Sequence, residues 1–129
     1  MTLPFWCVLL AYAVTYGTKI PVAVAMAREG RGYDNRNPRE QQARLTGWGK
    51  RAVAAQNNGF EVSAFFAACV FVGHLSGGDP RWSGILAVTF VVSRIVYVIL
   101  YLTDQASLRS LVWGSGIAAG AGIALSGIV

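Results

Sequence analysis

Charge is scarce in this chain and nearly absent from four long stretches of it. Only 13% of the 129 residues are Asp, Glu, Lys or Arg, against about 25% in an ordinary soluble domain. Histidine occurs once, as His74, and cysteine twice, as Cys7 and Cys69. No metal-ligand spacing exists, so metal chemistry has no footing in the sequence. Two isolated cysteines in apolar surroundings read as packing residues rather than as a disulfide pair. The strict apolar–polar alternation of barrel strands is missing too, which argues against a membrane β-barrel.

What is present is hydrophobic length. Apolar residues make up 54% of the chain and gather in four blocks, 3–27, 52–75, 82–102 and 108–129. Each reaches the about 20 residues that a helix needs to cross a bilayer. The first block lacks a basic leader, runs too long and shows no small-residue cleavage site, so it reads as a helix of the mature protein rather than a signal peptide. The expectation is one all-α domain, an integral membrane four-helix bundle.

The net charge of +5 is informative through its placement. Arg28, Arg31, Arg36, Arg39, Arg44, Lys50 and Arg51 crowd the connection between the first two blocks. Positively charged loops stay in the cytoplasm, which places both termini and the turn at Gly77–Pro80 outside. Trp6 and Trp82 then fall at the outer interface and Trp48 near the inner one. A basic loop in a membrane protein reads as topology plus contact with anionic membrane lipids, not as a nucleic-acid site.

Against this background, Lys19, Glu61 and Arg94 stand out as charges inside apolar blocks. Such residues are costly in a bilayer unless paired or facing a wet cavity. Each lies nine or ten residues from a charged end of its block, about 13–15 Å at 1.5 Å per residue, which predicts a shared depth near the bilayer middle. Arg51, Asn58 and Glu61 share one helical face by spacing, as do Arg94, Tyr97 and Tyr101. Arg109, Ser110 and Trp113 open the fourth block. The pattern predicts a polar cavity on the cytoplasmic side, closed toward the midplane. The bland alternative is a set of buried polar residues that only fixes helix register. Gly114 to Gly127 is mostly Gly, Ala and Ser, with Gly116/Gly120 and Ala118/Gly122 at small-xxx-small spacing, which predicts close helix packing and no chemistry. Four helices make thin walls for a ligand cavity, so an oligomer with sites between subunits is expected.

The run from Arg51 through Asn58 to Glu61, with Asn-x-x-Glu at its end, resembles the second-helix signature of the MAPEG superfamily, the membrane-associated proteins of eicosanoid and glutathione metabolism. The pattern Arg94-x-x-Tyr97-x-x-x-Tyr101, a short polar turn and Leu108-Arg109-Ser110 resembles its second half, and the loop Tyr33 to Arg39 resembles that of bacterial members. The resemblance covers nearly the whole chain. It implies a homotrimer in a bacterial inner membrane, with glutathione as co-substrate bound between subunits from the cytoplasm. It also implies roles for residues. Asn58 and Glu61 would hold the polar end of the tripeptide, and Tyr101 would line it. Arg94 would pair with Glu61 or reach the ligand. Arg109 would sit by the sulfur with Ser110 as a hydroxyl donor, and Arg51, Tyr97 and Trp113 would complete the wall. The chemistry is coherent: arginines suit carboxylates, a glutamate suits an ammonium, and a fixed guanidinium favours the nucleophilic thiolate. The second substrate would be an apolar electrophile or a lipid hydroperoxide.

The chain departs from that signature in places. Gln56 stands at a histidine position, Ala54 at an arginine position of several members, and Trp113 where tyrosine is common. Lys19 has no counterpart. These departures favour the alternative of a non-catalytic relative that binds a lipid or a protein. A small proton-coupled transporter is a third reading, weakened by the cations that accompany Glu61.

Overall fold

The computed structural model describes residues 1–128, and all its regular structure is helical. The elements are α1 (Leu3–Gly17), α2 (Lys19–Ala27), α3 (Pro38–Arg44), α4 (Gly47–Leu75), α5 (Pro80–Leu102) and α6 (Ala106–Leu125). Four spans, Leu3–Ala27, Gly47–Leu75, Pro80–Leu102 and Ala106–Leu125, are long and apolar enough to cross a membrane. The end of the expected fourth helix, Val129, lies outside the described residues.

The expected unbroken helix over 3–27 is divided at Thr18. Pro21 supplies the reason. It has no N–H to bond the Gly17 carbonyl, and its ring crowds that same carbonyl. Thr18 stays helical in φ and ψ (−66°, −12°), so the chain bends rather than reverses. Hydroxyls bond back to the backbone on the N-terminal side of the bend: Thr18 Oγ1 donates to the Thr15 carbonyl, and Thr15 Oγ1 donates to Ala11 O at 2.9 Å. Thr15 also meets Ser63 of α4 at 3.1 Å, where Gly59 leaves the room for it.

The core lies between α1, α4, α5 and α6. Cys7, Ala11, Phe66, Val70, Ala87, Phe90, Ala119 and Ile123 are buried there, and the Phe66 and Phe90 rings stack at 3.8 Å. Both cysteines are buried and unbonded to each other. The small residues of α6 serve packing within the chain. Gly116 lies against Ser93 and Phe90, and Gly120 against Phe65. Gly73 gives Ile123 a close approach from the α4 side.

A second, smaller cluster sits at the basic-loop end, where Val22, Met26, Leu45 and Ala52 pack together. The connection from α2 to α4 is ordered around Gln41, which is 2% exposed. Its amide nitrogen donates to Met26 O, Glu29 Oε2 and Gly32 O, and its oxygen accepts from Asp34 N. This fold-back changes the depth expected for the polar residues. At 29 residues, α4 is about 43 Å long, some 13 Å more than a hydrocarbon core. Its polar first turns, with Trp48, Lys50 and Arg51, take up that excess and pack beside α2 and α3. Glu61 therefore lies about 8 Å inside the boundary by the same rise per residue, shallower than the midplane.

Candidate functional site

The α5–α6 turn builds the site. Asp104 adopts a left-handed conformation (φ 61°), which Asp tolerates better than most side chains. Asp104 N then bonds Tyr101 O at 3.2 Å, and Gln105 N bonds Leu100 O at 2.9 Å. The chain reverses within a few residues, and the first turns of α6 come to lie beside the last turns of α5. Arg109 thereby places its guanidinium 4.2 Å from the Tyr101 ring centre.

Tyr97 and Tyr101, one helical turn apart, meet edge to face at 5.5 Å. Arg94, one turn further along the same face, stacks on Tyr97 at 4.1 Å. The result is a ladder of two aromatic rings with a guanidinium at each end: Arg94, Tyr97, Tyr101, Arg109. Tyr97, Tyr101, Arg109, Ser110, Trp113 and Gly114 line an open groove of about 490 Å³. Tyr97 and Arg94 are buried at its inner end, whereas Ser110 and Trp113 are exposed at its mouth.

The groove is lined by residues of α5 and α6, and α4 holds Arg94 behind it. Arg94 Nη2 donates to Asn58 Oδ1 at 3.0 Å. The expected pair between Arg94 and Glu61 is not formed. Among the described residues the one ion pair within 4.0 Å joins Arg44 to Glu40 at the surface. Helix geometry explains the difference: residues three apart on an α-helix are offset by about 60°. Asn58 points to α5, and Glu61 is turned outward to an exposed position. Glu61 continues a stripe of exposed α4 residues, Asn57, Ala64 and Ala68.

Arg51 stands apart from the groove. It is half-buried two turns before Asn58, and its Nε is buried without a hydrogen-bond partner. Lys19 also lies elsewhere, on the far side of α4 beside Tyr33, Arg39 and Gln56. Three polar residues expected at one level thus fall into two places. The groove residues share a readable helical spacing. The Lys19 surroundings do not, because Tyr33, Arg39 and Gln42 reach it through the fold-back of the loop.

No curated protein and no solved structure matches the chain. The MAPEG family model, however, matches residues 3–129. With four helices long and apolar enough to span a membrane and a polar groove built by the end of the third and the start of the fourth, this chain belongs to the MAPEG family, the membrane proteins of eicosanoid and glutathione metabolism.

Proposed function

We propose that the protein is a glutathione-dependent membrane transferase or peroxidase that acts on apolar electrophiles or lipid hydroperoxides. The observation that carries this reading is the convergence of Tyr97, Tyr101, Arg109 and Ser110 on one open groove, with Arg94 stacked behind Tyr97. Arg109 and Ser110 stand where a thiolate would be held. The guanidinium supplies charge and the hydroxyl a donor, and the Tyr101 face fixes the direction of the guanidinium. Asn58, with its oxygen engaged by Arg94, and Glu61, without an ion pair among the described residues, would take the polar groups of the tripeptide. Arg51 has an unmet donor for a ligand carboxylate or a neighbouring subunit.

The reaction class follows from these groups. The thiol proton leaves to solvent, and the thiolate held by Arg109 attacks the halide-bearing carbon of an apolar aryl halide that enters from the bilayer, forming the C–S bond as the C–halogen bond breaks and halide leaves to solvent. With a hydroperoxide the thiolate sulfur displaces the alkoxide, which takes a proton. The resulting sulfenic acid of glutathione condenses with a second glutathione to give the disulfide and water.

A homotrimer is part of the proposal. An exposed carboxylate on a membrane-spanning helix calls for protein or water around it, and Glu61 has no ion-pair partner among the described residues of one chain. The small side chains beside it, Ala64 and Ala68, allow close approach of a second copy. The basic loop is placed on the cytoplasmic side of a bacterial inner membrane, with the termini outside, by the positive-inside rule.

The test is glutathione-dependent consumption of an aryl halide or a fatty-acid hydroperoxide by the detergent-purified protein. Turnover with both classes absent, although glutathione binds, would favour the non-catalytic reading.

A further inference from the structure

A cavity of about 910 Å³ lies in the basic connection between α2 and α4, and it shares no lining residue with the groove. Arg31 and Arg36 line it from the loop, and Arg44 lines it from the last turn of α3. Among the described residues, neither Arg31 nor Arg36 has a carboxylate oxygen within 4.0 Å. Arg44 meets Glu40 at 3.7 Å, but both side chains are more than half exposed, so water competes for the pair and holds it weak.

The loop around this cavity has a fixed shape. Gln41, the buried residue that ties α3 to the end of α2, is part of the lining. The two carboxylates of the lining serve the same purpose. Glu29 Oε2 accepts from Gln41 Nε2 at 2.9 Å. Asp34 Oδ1 accepts from Arg36 N at 2.9 Å and from Asn37 N at 3.0 Å. Gly32 closes the turn between them, with φ at 74° and its N–H donating to Glu29 O at 2.9 Å. The acidic groups thus brace the backbone, and the guanidinium groups of Arg31 and Arg36 are left without a counter-ion on the same wall.

Membrane topology does not require this construction. The positive-inside rule depends on how many basic residues a loop carries, and a loop of no fixed shape meets it equally well. Here a buried glutamine sets the shape, and three arginines from two elements share one concave wall. Like charges held together raise one another's energy, and a bound anion relieves the repulsion. The planar fork of arginine matches phosphate oxygens two at a time.

We infer that the loop cavity is a binding site for a phosphate-bearing anion, held by Arg31, Arg36 and Arg44. A soluble phosphate and the headgroup of an anionic lipid present the same oxygens to these arginines. The site is distinct from the proposed glutathione groove and does not rest on that reading. Its occupant joins the loop after α2 to α3 and so stiffens the whole connection.

The experiment titrates the detergent-purified protein with inorganic pyrophosphate by calorimetry, with citrate as a carboxylate anion for comparison. In parallel, native mass spectrometry follows retention of phosphatidylglycerol against phosphatidylcholine of the same chains. The expected result is a phosphate-bearing ligand bound at least about tenfold more weakly by Arg36→Gln and by Arg31→Gln. Arg28→Gln, which removes a charge from the same loop but not from the cavity, should bind as the wild type does. Gln41→Leu keeps every charge and loses the shape, so it too should lose binding. Glutathione affinity should stay unchanged in all four variants. Thermal midpoints without ligand separate loss of fold from loss of the site, and Arg36→Gln against Arg28→Gln decides the matter if Gln41→Leu does not fold. This pattern with pyrophosphate assigns a soluble phosphate, and the same pattern with phosphatidylglycerol alone assigns a headgroup. Binding of neither ligand would overturn the proposal, as would equal binding of citrate or an equal loss in Arg28→Gln. Loss of glutathione in Arg31→Gln or Arg36→Gln would overturn it too, and would assign the cavity to the tripeptide.

Discussion

Arg94 donates to Asn58 rather than pairing with Glu61, although both acceptors lie on the same helix one turn apart. The consequence is a division of labour on α4. Asn58 is committed to positioning an arginine that is 2% exposed. Glu61 is left free to meet something outside its own chain.

Asn58→Leu removes the one hydrogen-bond acceptor that Arg94 finds on α4. The arginine is then left buried with an unmet donor, a loss of about 1–3 kcal/mol. The variant is expected to show a lower thermal midpoint in detergent and weaker glutathione binding together, measured by scanning fluorimetry and titration. Asn58→Asp, which keeps an acceptor and adds an opposite charge, is expected to retain the fold.

Glu61→Gln is expected to behave differently. Because Glu61 makes no ion pair among the described residues, the variant's thermal midpoint should move little. Glutathione affinity should fall about tenfold or more, the worth of about 1.5–3 kcal/mol for a hydrogen bond to a charged group. A glutathione analogue lacking the amino group gives the control. It should bind the wild type more weakly and fail to distinguish wild type from Glu61→Gln.

Gly73→Val tests the core. A β-carbon at Gly73 would run into the backbone carbonyl of Ile123, which no side-chain rotation can relieve. The α4–α6 contact has to open, so the variant should lose stability by more than the about 1 kcal/mol typical of point changes. Thermal unfolding in detergent reads this directly. Gly114→Ala, where nothing lies within 4 Å, is the matched control and should be neutral or slightly stabilised.

The parts of this fold that could be read from sequence are those set by composition and local spacing. The four spans follow from the absence of charge over lengths that cross a bilayer. The ladder from Arg94 to Tyr101 follows from the helical repeat, and the short turn before Arg109 brings α6 alongside. Other features had visible signals that length alone overrode. Pro21 marks the bend at Gly17–Thr18, and Pro38, Glu40 and Arg44 mark the ends of α3 as proline and charge usually do. The choice of Asn58 over Glu61 depends on how far α4 is rotated about its axis, which spacing does not give. The company of Lys19 depends on the fold-back around Gln41, a set of contacts between residues up to 15 positions apart.

The central claim is that Arg109, fixed against Tyr101, holds a glutathione thiolate in the groove. Glutathione titrated into detergent-purified protein, followed by thiolate absorbance in the ultraviolet, tests it most directly. A saturable thiolate signal near neutral pH that disappears in Arg109→Ala, with the oligomer intact, is the predicted result. A folded oligomer that binds no glutathione, or one whose thiolate signal survives in Arg109→Ala, would contradict it.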